Sequence, residues 1–135
     1  MLQNLPVLMS STMIGIILFQ SMLVAPAINR LINTKDASIF LRFIWPKFFM
    51  IIAVLSAISI IGLFVFEHTS PTTLYLMIAS LVFMLGCYFV TPAINHAKDT
   101  GNTRLWSILH KVTVFTTLIV LILNILSIVY WNFVL

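Results

Sequence analysis

Side chains that could do chemistry are concentrated on one side of the last apolar segment of the chain. Placed 100° apart around a helix, these residues fall within about 60° of one another: His110, Thr113, Thr117, Asn124 and Trp131. The histidine offers a ligand for haem iron or a metal ion, a proton carrier, or a hydrogen-bond donor. A polar stripe on an apolar helix is expected to face other protein segments, because lipid cannot satisfy its hydrogen bonds.

His110 is the only serious candidate for a metal or haem ligand. His96 lies 14 residues earlier, a spacing that follows no ligand motif, so neither haem nor a particular metal is assigned. We favour a structural role in which His110 shares a hydrogen-bond network with Asn95. Haem ligation and contact with a lipid head group or substrate stay open as alternatives. Asn124 is predicted to bond to another helix at depth. Its candidate partners are Gln20, Ser56 and Ser59.

The basic residues near the predicted helix ends allow two interpretations. Retention of Lys and Arg on the cytoplasmic side explains them without further function. Arg42, Lys47 and Lys111 also have the positions needed to contact anionic head groups. Catalysis of the soluble-enzyme kind is disfavoured, because the chain has three acidic residues and lacks nucleotide-binding, zinc-protease and CxxC motifs. No catalytic residue is assigned, and we favour a non-enzymatic role.

The elements that must position these residues are membrane helices. Of 135 residues, 61% are apolar and 7% charged, and the mean hydropathy is +1.16, which excludes a water-soluble monomer. Four apolar segments, at about 5–28, 38–66, 73–93 and 104–132, are long enough to cross a ~30 Å hydrocarbon core. The predicted fold is therefore all-α, an integral membrane four-helix bundle, with residues 1–135 as a single transmembrane domain. No nucleic acid partner is expected.

Local signals predict how these helices begin and pack. Asp36 or Ser38 is expected to cap the second helix, because both side chains can accept a hydrogen bond from a backbone N–H in the first turn. On the third helix, Ala79, Gly86 and Ala93 recur every seven residues. Small residues at this spacing predict a seam along which the helix approaches its neighbours closely.

The distribution of positive charge predicts the membrane orientation. All seven basic residues fall in or beside the first and third loops: Arg30, Lys35, Arg42, Lys47, Lys98, Arg104 and Lys111. Because Lys and Arg near helix ends are retained in the cytoplasm, these two loops are predicted to be cytoplasmic and both termini outside. The predicted location is the plasma (inner) membrane.

An internal repeat relates the two halves of the chain. Residues 24–29 recur as residues 90–95, a shift of 66 positions with five of six identical. Two helices intervene, so the halves are expected to be parallel repeats about an axis along the membrane normal. We favour a helix-ending device in which Pro26 and Pro92 weaken the last turn while Asn29 and Asn95 cap freed carbonyls. A ligand site at the pseudo-axis is the alternative.

Four elements carry a family resemblance: Ala25-Pro26-Ala27, Trp45-Pro46-Lys47-Phe48, residues 91–95 and residues 105–111. With them the chain resembles the TMEM205-like (DUF4149) membrane family over essentially its whole length. The resemblance implies a four-helix integral membrane protein without an assigned biochemical activity. The haem-associated four-helix proteins of the CopD and HemJ type are a neighbouring group, from which the chain departs because its first helix lacks a histidine.

Two functional hypotheses follow. The first is a small multi-pass protein that acts as a structural or accessory subunit, or binds a lipid or other hydrophobic small molecule. Its partners would be the lipid bilayer and, beyond it, a second copy of the chain or a larger membrane complex. The second is a haem- or porphyrin-associated redox protein with His110 as ligand.

Overall fold

The computed structural model describes residues 2–66 and 70–133, and nearly all of them are helical. The α-helices are α1 (Leu5–Phe19), α2 (Ala25–Leu31), α3 (Thr34–Val65), α4 (Pro71–Asp99) and α5 (Thr103–Phe133). A short 3-10 turn, Leu2–Asn4, precedes α1, and a π-helical segment, Gln20–Val24, joins α1 to α2. The first span therefore runs over Leu5–Leu31, and α3, α4 and α5 are the second, third and fourth spans.

The fold is an all-α membrane bundle. The four helical spans are long and apolar enough to cross a membrane. They form a ring in which each span packs against the next: α1 against α3, α3 against α4, α4 against α5, and α5 against α1. Large apolar side chains are exposed on the outer faces of all four spans, as contact with lipid requires.

The two ends of the bundle differ in charge. At one end the indole Nε1 of Trp131 donates to Asn4 Oδ1 at 3.4 Å, which joins the last turns of α5 to the 3-10 turn that precedes α1. The other end holds the junctions between α2 and α3 and between α4 and α5. Basic residues surround these junctions, so we call it the basic end. They include Arg30, Lys35, Lys98 and Arg104.

The junctions at the basic end are short and well capped. Asn33 caps α3: its Oδ1 accepts from the Asp36 backbone N–H at 2.9 Å and its Nδ2 donates to the Asp36 carboxylate at 2.6 Å. The prediction that Asp36 or Ser38 is the cap was wrong, because the helix begins at Thr34. Between α4 and α5, Gly101 adopts a φ of +71°, which favours glycine. Asn102 Oδ1 then accepts from the Leu105 N–H at 3.1 Å.

The repeated proline elements lie inside the spans and do not end them. α4 continues through Pro92 to Asp99, six residues beyond the predicted end. Proline lacks the N–H that a continuous helix would use, yet membrane helices tolerate this where nearby groups adjust. The carbonyl that Pro92 leaves without an N–H partner is that of Tyr88, and next to it Thr91 Oγ1 donates to the Cys87 carbonyl at 2.9 Å. Before Pro26 the chain instead widens into the π-helical segment, in which Ala25 N–H donates to the Gln20 carbonyl.

The predicted seam of small residues on the third span was wrong. Gly86 and Ala93 are exposed, and a Cβ added at Gly86 would meet nothing within 4 Å. The buried face of α4 instead follows heptad-like steps of three and four residues: Thr73, Met77, Ser80, Met84, Cys87 and Thr91. The close glycine contact is elsewhere, at Gly62 of α3, against Leu5 of α1.

Candidate functional site

A cavity of about 400 Å³ occupies the half of the bundle nearest the basic end, and all four spans line it. Its inner walls are mostly apolar, with Ile17, Phe49 and Leu121 near the middle of their spans. Its polar side chains lie mainly toward the basic end: Ser38, Arg42, Asn95, Lys98 and His110. The site is therefore amphipathic along the bundle axis.

Arg42 forms one side of the polar rim and links α3 to α4. Its Nη1 donates to Asp99 Oδ2 at 3.1 Å and its Nη2 donates to Asp99 Oδ1. This is the bidentate arrangement that fits a planar guanidinium to a carboxylate. The pair is partly exposed, so solvent screens it. The Nε of Arg42 is buried and has no hydrogen-bond partner among the described residues.

Lys98 and Asn95 form the α4 side of the rim and lie one turn apart. The Lys98 ammonium lies 5.7 Å from the centroid of the Trp106 ring, within the range of a cation–π contact. Within residues 2–66 and 70–133, neither Lys98 Nζ nor the Asn95 amide has a hydrogen-bond partner. Hydrogen-bonding capacity is therefore left over at this side of the cavity.

His110 lines the cavity and is half-buried. Its ring stacks on Trp106, with centroids 5.4 Å apart and planes 4° apart. The predicted network between His110 and Asn95 is not formed: both line the cavity, but no hydrogen bond joins them in the described part of the chain. The stacking explains this, because it orients the imidazole against the neighbouring turn of its own helix. The remainder of the predicted stripe is buried, namely Thr113, Thr117, Asn124 and Trp131.

The cavity opens sideways because the first span leaves the bundle. α1 packs against both α3 and α5, whereas α2, outside its own span, packs mainly against α3. The departure begins at the π-helical segment, whose Ser21 lines the cavity. Leu18 on the first span and Val114 and Leu118 on the fourth line the cavity and are exposed. These three residues border an opening between the first and fourth spans.

Asn124 belongs to a separate polar layer in the other half of the bundle. Its Nδ2 donates to the Val120 carbonyl at 2.8 Å and to Ser80 Oγ of α4 at 3.4 Å. The predicted partners Gln20, Ser56 and Ser59 were therefore wrong. In the observed ring α5 contacts α4 directly and lies diagonally across from α3, so Ser56 and Ser59 are on a distant helix. Asn124 Oδ1 and Ser59 Oγ are buried without a partner among the described residues.

Several other predicted site residues lie away from the cavity. Asn29, Lys47 and Lys111 are exposed and do not line it. Lys47 Nζ instead lies 3.2 Å from the centroid of the Phe43 ring. In the described ranges no three His, Cys, Asp or Glu side chains are grouped as a metal site would need. Sequence reasoning missed Lys98 and Trp106 as site residues, although the spacings Asn95-x-x-Lys98 and Trp106-x-x-x-His110 place each pair on one helix face.

Fold and cavity together define a class: small four-span membrane proteins with an amphipathic cavity that opens toward lipid. A family model described as a domain of unknown function (DUF4149) matches residues 8–103, and the chain belongs to this family. The matched range includes Arg42, Asn95 and Lys98 and ends before His110. Comparison with curated proteins and with solved structures found no match.

Proposed function

We propose that this protein binds a lipid or other hydrophobic small molecule in the cavity and acts without catalysis, as a binder or accessory subunit in the membrane. The observation that carries this proposal is the cavity itself. Its volume of about 400 Å³ falls in the range of ~300–1,000 Å³ typical of ligand pockets, and mostly apolar walls with a few polar groups are also typical.

The position of the cavity supports a membrane-derived ligand. Leu18, Val114 and Leu118 border its opening on the lipid-facing side of the bundle. An apolar molecule already dissolved in the bilayer can enter there without crossing water, whereas a strictly polar solute would have to pass apolar side chains. A second copy of the chain or a larger complex stays part of this proposal as the partner that would give or receive the ligand.

Filling the cavity should remove bound lipid. Thr117→Trp places an indole among the lining residues and should lower the lipid retained after detergent exchange at least about tenfold, as a lost affinity of ~1.4 kcal/mol predicts. Lipid extraction and mass spectrometry of the purified protein measure the retained lipid. Ile122→Trp is the matched control, because Ile122 is exposed on the same helix outside the cavity.

Folding of each variant is checked by its helical circular dichroism. Thr117→Leu, a smaller change at the same position, should give an intermediate loss. Equal lipid retention in the wild type and in a folded Thr117→Trp protein would refute the proposal.

A haem or porphyrin ligand is the second candidate, and one observation favours it: His110 lines the cavity near the basic side chains Arg42 and Lys98. The fit is incomplete, since His110 is the one imidazole among the described lining residues and no second axial ligand accompanies it. The visible spectrum of the same preparation separates the candidates. A Soret band that disappears in His110→Gln would replace the lipid proposal by this one.

We also propose that the basic end is cytoplasmic, that both termini are outside, and that the plasma membrane is the location. The one-sided distribution of Lys and Arg supports this orientation. The 66-residue repeat supports a parallel arrangement of the two halves, and the Pro-Asn and Leu-His elements support a TMEM205-like relationship within the family.

Cysteine labelling checks the orientation. In a Cys87→Ser background, an impermeant thiol reagent added to intact cells should label Asn132→Cys and leave Thr100→Cys unlabelled until lysis. Both positions are exposed near helix ends, so the difference reports the side of the membrane. Labelling of Thr100→Cys in intact cells would contradict the proposed orientation.

A further inference from the structure

We infer that the ligand is an amphiphile with an anionic head group, whose head binds at the Lys98–Asn95 side of the rim while its chain enters through the opening between the first and fourth spans. This inference rests on the proposed function and adds the charge of the ligand and its route of entry.

The charge of the cavity selects the sign of the head group. Two basic side chains, Arg42 and Lys98, line the cavity, and the described lining residues include no carboxylate. Asp99 neutralises Arg42 through the bidentate pair. The Lys98 charge has no acidic partner within hydrogen-bonding distance in the described chain. The rim therefore has an uncompensated positive charge that an anion would balance.

The unused hydrogen-bonding groups at the rim point to the same chemistry. Lys98 supplies up to three N–H donors and no acceptor, and Asn95 adds an amide without a partner. The buried Nε of Arg42 is a third unused donor. A carboxylate or phosphate accepts hydrogen bonds and donates few or none, and charge-assisted bonds of this kind are the strongest available. A cationic or donor-rich head group could donate only to Asn95 Oδ1 and would leave Lys98 Nζ and Arg42 Nε without an acceptor.

The depth of the cavity limits how much of the ligand's acyl chain it can hold. From Arg42 at the rim to Phe49 near the middle of α3 is seven residues, about 10 Å at 1.5 Å per residue. Only the first part of an acyl chain fits within that depth. The remainder would pass through the opening bordered by Leu18, Val114 and Leu118 into the bilayer. Trp45 and Trp106 line the cavity at the rim, where indole rings suit a membrane interface.

The test compares two probes that share one brominated acyl chain, lysophosphatidylglycerol and lysophosphatidylcholine. Quenching of tryptophan fluorescence measures binding to the full-length protein in neutral detergent, since bromine near Trp45 and Trp106 reports occupancy. Both probes carry a phosphodiester, but the choline of the second adds a positive charge that would lie beside the basic rim. We expect the anionic probe to bind about tenfold more tightly, because only its net charge is complementary to that of Lys98. Lys98→Gln should reduce this preference to about threefold or less, because it weakens binding of the anionic probe more than binding of the zwitterionic one.

Lys111→Gln is the matched control, because Lys111 is also basic but is exposed outside the cavity. It should keep the tenfold preference. Equal binding of the two probes to the wild type, or an equal loss of preference in the Lys98 and Lys111 variants, would overturn the inference while the proposed function stands. Displacement of the anionic probe by equimolar inorganic phosphate would also overturn it, because the site would then recognise a free anion. Absence of quenching by either probe would instead count against the proposed function.

Discussion

Replacing Gly62 by leucine should lower the free energy of unfolding in detergent by about 1–3 kcal/mol, the range for overpacking a well-packed site. A Cβ at Gly62 would lie 2.6 Å from Leu5 Cδ2 and 3.4 Å from Leu5 Cγ. The first span must therefore shift or Leu5 must change rotamer. Gly62→Ala should cost less, because Leu5 Cδ2 is the flexible end of its side chain. Thermal or SDS-induced unfolding measures the change.

Gly86→Leu is the matched control, with an expected change within about 0.5 kcal/mol. The glycine is exposed and its added Cβ would meet nothing within 4 Å. Both substitutions exchange glycine for leucine inside a helix, so the gain in helix propensity is common to both. The double variant Leu5→Ala/Gly62→Leu should recover stability by relieving the clash. If Gly86→Leu destabilises the protein as much as Gly62→Leu does, then α4 packs closely at Gly86, as its seven-residue pattern of small residues predicts.

The contrast between these two glycines shows why packing could not be predicted from the sequence. In a soluble helix the polar face marks the outside, but here lipid-facing and core-facing residues are both apolar. Gly86 belongs to a regular seven-residue pattern and is exposed, whereas Gly62 belongs to no pattern and is tightly packed. Hydropathy located four spans because the length of an apolar segment does not depend on its neighbours. The face that each span buries does depend on them.

The sequence predicts part of the candidate site and misses another part, as it does for the helix packing. The 100° periodicity of α5 grouped His110 with Thr113 and Thr117, and all three line the cavity. Arg42 and Lys47 were treated alike because both precede the apolar part of the second span, yet only Arg42 faces the cavity. The sequence places Lys98, the basic side chain at the α4 side of the rim, in a loop, because Pro92 is predicted to end its helix. In the structure α4 continues past that proline and presents Lys98 on the same face as Asn95.

Replacing Asn124 by aspartate should lower stability more than any other polar substitution on α5. We expect the free energy of unfolding to fall by about 2.5–3.5 kcal/mol at neutral pH, the cost of an acidic residue in the interior of a membrane helix. Asn124 is 0% exposed. The asparagine Nδ2 donates to the Val120 carbonyl and to Ser80 Oγ. An ionised carboxylate cannot donate either bond and would set its charge against the carbonyl oxygen.

A second variant at the same position separates the effect of the charge from that of the lost hydrogen bond. Thermal or SDS-induced unfolding at neutral pH measures both losses. Asn124→Leu removes the unpaired Oδ1 together with the bond to Ser80, so its cost should be only about 0.6 kcal/mol, the average for such membrane hydrogen bonds.

Asn132→Asp on the same helix is the matched control. Asn132 is exposed, and its Nδ2 donates to the Ile128 carbonyl at 2.9 Å, so the variant loses the same kind of bond to the preceding turn. Its cost should stay within about 1 kcal/mol, because water solvates the introduced charge and only the helix dipole opposes it. If both variants lose the same stability, then water reaches Asn124, and the polar layer that it forms with Ser80 is hydrated.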